Sequence, residues 1–291
     1  KLKIDSIFIG CLGSDDDGKK FITQFNNLDV NLDFLQLDND LSTRVVNVDR
    51  DKFGDRFFSG FEASSNSCFA DEALSKKLIE KELPNLEKFF LETKYLVSGT
   101  ILLSSPKSAE TIFFLLEQAN KFEVKVVIDL NWREVFWDYS IFSSEISKTQ
   151  RIKIIKNFIN HAHVLKFAKE EATLFFGHEN PSLISQQMSK RPDVIITNGA
   201  NPVEWFINGF QGSTETPNSK KIVDTTGAGD AFLAGLISKL ISSGYPLNEL
   251  DIQDCVNFAS VCGLLTCLGE GAIEQQPDYE KVNKFLGSLI K

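Results

Sequence analysis

The sequence predicts an α/β fold of three layers, doubly wound on a mainly parallel sheet, with a small β lid. Three observations lead there. Strand-like and helix-like apolar patterns alternate along the chain, the rhythm of a parallel sheet covered by helices on both faces. Residues 124–130 are almost continuously apolar, as a strand buried on two faces requires. Short turns rich in glycine and acid follow several of the strand-like stretches, at the ends where open sheets bind ligands.

The elements follow in order. Residues 4–10 read as the first strand, and residues 15–28 as a helix whose opening Asp15, Asp16 and Asp17 suit the positive end of a helix dipole. Residues 44–48 and 56–61 read as two strands around the turn-forming run Asp51-Lys52-Phe53-Gly54-Asp55. That hairpin lies off the βα rhythm. The rhythm resumes with a strand at 95–97, a helix at 108–122 that places Ile112, Leu115, Leu116 and Ala119 on one face, and the strand at 124–130. A helix at 152–159, strands at 163–167 and 194–197, and helices at 231–242, at 250–268 and after Pro277 complete the chain. The reading is one α/β domain, residues 1–40 and 62–291, carrying a lid at residues 41–61.

The 291 residues suffice for one large domain, and 42% hydrophobic with 24% charged residues is an ordinary globular balance. A net charge of −9 argues against nucleic acid and anionic membrane as partners. No stretch has the length of a transmembrane helix, and no signal peptide is legible. The five cysteines, Cys11, Cys68, Cys255, Cys262 and Cys267, form no Cys-x-x-Cys pair. They point to free thiols in a reducing compartment, the cytoplasm or an organelle stroma. The last three fall in an apolar helical stretch and are expected in the core. His161 and His163 alternate at a helix-to-strand junction without a third ligand at a suitable spacing, so they read as junction residues rather than metal ligands. The chain opens on Lys1 and its one methionine is Met188, from which residues before Lys1 are expected.

The chemistry concentrates in Asp224-Thr225-Thr226-Gly227-Ala228-Gly229-Asp230-Ala231-Phe232, a tight small-residue loop opening onto the apolar helix at 231–242. Small residues admit a ligand close to the backbone, and unpaired amides at a helix start attract anions. An aspartate beside such an anion site can accept the proton of a hydroxyl that attacks a phosphoryl group. No Gly-Lys-Ser/Thr follows, so this is not a Walker loop.

The run resembles the second signature of the PfkB (ribokinase-like) carbohydrate kinases through Asp224, Thr225, Gly227, Ala228, Gly229 and Asp230, and onward through Ala234, Gly235 and Leu236. The resemblance implies an ATP-dependent sugar kinase of ribokinase-like fold, with Asp230 as base and residues 227–229 as an anion hole. Four further blocks are similar to family segments. Asp129-Leu130-Asn131-Trp132-Arg133 resembles the Asp-x-Asn-x-Arg block of fructokinase-type members, implying that Asn131 and Arg133 face phosphates or substrate. Taken alone, Asp129 and Arg133 read equally well as a surface ion pair. Lys166-Phe167-Ala168-Lys169-Glu170-Glu171-Ala172 resembles Lys-x-Asn/Ser-x-x-Glu-Ala, implying that Glu171 acts on Mg²⁺ through water. Ala168 departs from the polar residue usual there. Thr197-Asn198-Gly199-Ala200 resembles a Thr-x-Gly-Ala turn, implying nucleotide contacts for Thr197 and Gly199. Residues 258–263 and 269–272 resemble the lining of the adenine pocket, with Ser260 and Gly263 nearest the base; Thr225 joins the nucleotide set. Asp224 and Thr226, with carbonyls near Cys267 and Gly269, match the monovalent-cation site of many members, making K⁺ a further expected ion. The family's first strand, with its sugar-binding aspartate, and its Gly-Gly-x-x-Asn run have no counterpart here, so the sugar stays unnamed. A nucleoside or vitamin kinase of the same superfamily, and a kinase-like scaffold, are the alternatives. Pairing of lid hairpins into a homodimer is expected by the same resemblance.

Overall fold

Two short parallel strands open the fold in the computed structural model, which describes residues 1–50, 56–61, 68–140, 146–219 and 221–289. β1 (Ile7–Gly13) pairs with β2 (Asn31–Asp38), Gly13 lying opposite Asp38, and α1 (Asp16–Asn27) makes the crossover. α1 is capped by Asp15, whose carboxylate accepts the Gly18 N–H (2.8 Å) and, with its other oxygen, the Thr43 N–H (2.7 Å). The first strand starts three residues later than expected. Its limits are set by β2, whose Asn31 N–H donates to the Ser6 carbonyl at 3.0 Å. β2 itself escaped prediction, because Leu32, Phe34, Leu35 and Leu37 break strict alternation.

The chain divides into two compact units. The first comprises residues 5–47 and 60–165. After β2 it holds α2 (Lys76–Lys81), α3 (Leu83–Glu92), β5 (Tyr95–Gly99), α4 (Pro106–Lys121), β6 (Lys125–Asp129), α5 (Glu134–Tyr139) and α6 (Lys148–Ile159). β5 and β6 pair in parallel with Gly99 opposite Asp129. α4 buries Ile112, Leu115, Leu116 and Ala119, the face its periodicity predicts. Between α6 and the next strand, His163 accepts the Val126 N–H on Nδ1 (2.9 Å) and His161 packs edge-on against Phe113. Both are junction residues.

In the same unit Arg44 is nearly buried. It pairs with Asp71 at 3.0 Å and stands 3.6 Å from Glu72. Its guanidinium lies over Phe69 (4.2 Å), Phe136 (5.0 Å) and Phe61 (5.1 Å). One side chain thus ties four separate segments of chain together.

β3 (Val46–Arg50) and β4 (Arg56–Phe61) form a separate two-stranded sheet, as expected for the hairpin. Its expected turn, 51–55, lies outside the described residues.

The second unit comprises residues 1–4, 48–59 and 166–291, so that β7 (Val164–Ala168) runs from one unit into the other. In this unit β8 (Asp193–Thr197), β9 (Val203–Ile207) and β10 (Phe210–Thr214) are neighbouring strands in that order. β8 to β10 are antiparallel neighbours; the β9–β10 hairpin closes on Asn208 (φ +50°) and Gly209 (φ +82°), an Asn-Gly turn of the kind that favours hairpins. The remaining helices are α7 (Lys169–Phe176), α8 (Pro181–Gln187), α9 (Ala228–Ser242), α10 (Glu249–Thr266) and α11 (Tyr279–Leu289). Cys255, Cys262 and Cys267 are buried free thiols, as their place in an apolar stretch implies. Among the described residues no helix is long and apolar enough to cross a membrane.

Candidate active site

α9 begins three residues earlier than its apolar pattern announces, so Gly229 and Asp230 lie inside its first turn. Gly227 is the N-cap residue in the left-handed conformation, φ +77°, which glycine adopts without a Cβ penalty. A Cβ there would also stand 2.8 Å from the Ala272 carbonyl oxygen. Ala228 N–H reaches back to Thr225 O (3.3 Å), and the first helical bond runs from Ala231 N–H to Gly227 O (2.9 Å). The remaining first-turn amides precede the first intrahelical bond, at the end of the helix where an anion can meet them. Asp230 is exposed beside them.

Asp224 is buried beneath this turn. One oxygen accepts the Thr226 N–H (2.9 Å) and hydroxyl (2.7 Å), and the other accepts Gly271 N–H (3.2 Å). The Cys267 carbonyl accepts the N–H groups of Val223 (2.8 Å) and Asp224 (3.3 Å). Asp224, Thr226 and the segment after α10 are thus brought together. In this structure Asp224 knits two loops through N–H and O–H donors. Among the described residues no cluster of three or more His, Cys, Asp or Glu side chains is placed to hold a metal.

Glu171 is buried in the first turn of α7, where it accepts the Ala168 N–H (2.7 Å) and so has a fixed orientation. Thr197 ends β8 and donates to the Phe167 carbonyl (3.4 Å). Gly199 takes φ +55° in the following turn, closed by Asn201 N–H to Asn198 O (2.9 Å). Asn198 also borders a cleft of about 430 Å³ with Lys169, His178 and Asn180; residues 227–230 do not line it. In α10, Ser260 is buried with its hydroxyl lacking a hydrogen-bond partner among the described residues, and Gly263 packs where a Cβ would lie 3.1 Å from Ala228 O. The spacing of Gly263 thus serves the seating of α9 directly. Thr225 is half-buried.

Asn131 and Arg133 belong to the other unit. Asn131 takes a positive φ of +39° just after β6, a conformation asparagine tolerates better than most residues. Arg133 donates from Nη1 to the Trp132 carbonyl (3.1 Å) at the start of α5, and Trp132 packs on Trp137 with ring centroids 5.8 Å apart. Asp129 is buried, which corrects its reading as half of a surface ion pair.

One residue of this region carries no role in the sequence reading. Lys166 sits in mid-strand in β7 and is only 6% exposed. Its Nζ lies 3.0 Å from the position a Cβ on Gly229 would take. The signal was a lysine inside the apolar run Val164-Leu165-Lys166-Phe167-Ala168; a charge is placed there only at a cost.

Residues 1–278 match the pfkB family of carbohydrate kinases. The chain belongs to that family. Among relatives of this pfkB kinase is the fructokinase of Salmonella typhimurium, 26% identical over 285 residues that make up 96% of this chain and 85% of that enzyme. The fructokinase of Vibrio cholerae O395, solved with fructose, ADP and calcium, is 26% identical with a TM-score of 0.80, covering 98% of this chain and 86% of that one. The ATP-bound fructokinase of Xylella fastidiosa shares the fold at a TM-score of 0.82 and 21% identity, covering 98% and 85%. The pfkB kinase described here therefore has the ribokinase-like fold and stands in the fructokinase-like branch. Its activity class is that of a sugar kinase, a phosphotransferase with an alcohol acceptor.

Proposed function

We propose that this pfkB kinase transfers the γ-phosphoryl group of ATP to a sugar hydroxyl, with Asp230 as general base and the amides of Gly227, Ala228 and Gly229 as the anion hole. The observation that carries the reading is the exposed Asp230 in the first turn of α9, directly after the left-handed Gly227 cap. The hydroxyl gives its proton to Asp230 while its oxygen bonds to the γ-phosphorus. The bond from phosphorus to the bridging oxygen breaks, and its electron pair leaves with ADP. Little basicity is asked of this carboxylate. The loose transition state of phosphoryl transfer needs it chiefly to aim the hydroxyl. The amides meet charge that grows on the migrating group.

The other assignments follow the family resemblance. Thr197, Gly199, Thr225, Ser260 and Gly263 border the nucleotide, and Asn131 and Arg133 reach phosphate or sugar oxygens. Mg²⁺, which usually binds through substrate phosphates and few carboxylates, neutralises phosphate charge when bound, and Glu171 orients a water of its shell. Asp224 and Thr226 frame a K⁺ site. Residues 41–61 act as a lid that excludes water, and its strand edges pair two copies. Fructose bound to the Vibrio relative makes a ketohexose the first acceptor to try.

The test is ATP turnover across a panel of sugars, nucleosides and vitamin precursors, repeated with Asp230→Asn. Sugar-dependent turnover that drops by about 10²-fold or more in the variant, with an unchanged melting temperature, is the expected result. Undiminished turnover removes Asp230 as base.

A further inference from the structure

We propose that Lys1 is a positioning residue for phosphoryl transfer: its ammonium gathers three carbonyls of the loop between α10 and α11 and holds that loop against the turn that opens α9. The inference rests on the reading just given and adds a residue to it. Every group involved belongs to the second unit. Lys1 Nζ donates to the carbonyls of Ile273 (2.7 Å), Gln276 (3.1 Å) and Glu274 (3.3 Å). Three acceptors match the three protons of an ammonium. The Lys1 carbonyl in turn accepts the Tyr279 N–H (3.3 Å) at the start of α11. Leu2 packs on the cluster of Ala231, Phe258, Val261, Cys262 and Val282, and its carbonyl accepts the Ser238 hydroxyl (3.3 Å). Two consecutive residues thus tie the loop to α9, α10 and α11.

Residues 269–276 form neither helix nor strand and include Gly269 and Gly271, the residue type that loses most freedom on ordering. On its inner side the loop meets the turn before α9. Gly271 N–H donates to Asp224 (3.2 Å), and a Cβ on Gly227 would stand 2.8 Å from the Ala272 carbonyl oxygen. The carbonyls that hold Lys1 begin at Ile273, the next residue. A shift of this loop moves the support of the Gly227 cap and re-aims the amides that follow it. Charge-assisted bonds from one ammonium to three carbonyls oppose that shift. Donors for a developing anion must be fixed before the charge appears, so the contribution of Lys1 is felt in the transition state.

The experiment compares wild type, Lys1→Met, Lys3→Met, Gly227→Ala and the double variant Lys1→Met with Gly227→Ala, by steady-state kinetics and by hydrogen exchange of the Gly271 amide read by NMR. Lys1 is exposed, so Lys1→Met should fold as wild type does. Its Gly271 amide should exchange faster. Its kcat should fall about tenfold, the rate equivalent of one charge-assisted hydrogen bond, with KM little changed. Lys3, whose ammonium meets Glu280 (3.8 Å) and the Tyr279 ring on α11, should be replaceable without effect on kcat. In the double variant the losses in kcat should be less than additive, because both substitutions act on the placing of the same amides. Should Lys1→Met not fold, Lys1→Gln carries the same expectations. Unchanged exchange and kcat in a folded Lys1 variant, or strictly additive losses in the double variant, overturn this proposal and leave the kinase reading standing. A wild type that turns over ATP with no acceptor in the panel overturns both.

Discussion

Gly235 of α9 and Cys262 of α10 meet so closely that a Cβ on the glycine would stand 2.8 Å from the Cys262 sulfur and 3.0 Å from the Ala259 Cα. The two helices approach almost backbone to backbone. Because α9 begins with the residues proposed as the anion hole and α10 carries Ser260 and Gly263, this contact sets the spacing of both sides of the proposed nucleotide site. Gly235→Val should cost about 1–3 kcal/mol, the usual penalty of overpacking a filled interior. Urea unfolding reads the loss.

Gly227→Ala should act on rate as well as stability. The left-handed backbone costs an alanine about 1 kcal/mol, and the new Cβ meets Ala272 O at 2.8 Å. Turning the peptide to relieve that contact re-aims the amide that an oxyanion would use. We expect kcat to fall about 10²-fold with a modest loss of melting temperature. A variant that melts lower yet keeps full kcat would remove these amides from the mechanism.

Arg44→Met leaves Glu72, 4% exposed, as a buried carboxylate without its cation. Stability should fall by about 3 kcal/mol. The double variant Arg44→Met with Glu72→Gln should recover part of that, since the uncompensated charge is gone. Additive losses in the double-mutant cycle would show that Arg44 contributes through its three phenylalanine contacts rather than through the acid.

Thiol labelling should follow burial. Burial pushes the Cys262 thiol up to about 12 and, ahead of the nearby Asp38, the Cys11 thiol up to about 11. Cys68, half-buried, is raised by its burial and by Glu72. At pH 8 Cys68 should react first with a maleimide, and Cys11 and Cys262 only on unfolding. The sign for stability is fixed by the same shifts. Above about pH 9 the unfolded chain releases these protons and the folded chain retains them, so stability should fall as pH rises toward 11. Melting temperatures between pH 8 and 11 check this.

Asp15 gives the opposite sign. Burial works against its charge, but donors from Gly18 and Thr43 outweigh that and hold its carboxyl below the ordinary value. Its contribution is present above the unfolded carboxylate range and disappears as pH falls through the depressed folded value. Asp15→Asn should therefore lower the melting temperature at pH 7 and make less difference in acid.

Residues 124–130 and 108–122 were legible because a buried strand and an amphipathic helix write their burial directly into residue order. The glycine–acid turn before α9 was legible for another reason. A backbone that must bend to the left and start a helix at once restricts residue type at several consecutive positions. Strand β2 was not legible: its apolar residues lack a clean period, and it exists through pairing with β1. The β9–β10 hairpin carried its Asn-Gly sign in plain view, and the helical rhythm around it drew the reading past it.

From residue order alone came the fold class, the family resemblance and the placing of Asp230 behind a tight glycine turn, since each depends on local backbone chemistry or on periodic burial. Tertiary structure alone decided that Asp129 is buried, that Gly263 is a packing position, and that the Lys166 ammonium lies against Gly229, 63 positions away in the chain. Contacts between distant segments depend on how helices seat on strands, and no local spacing encodes that distance.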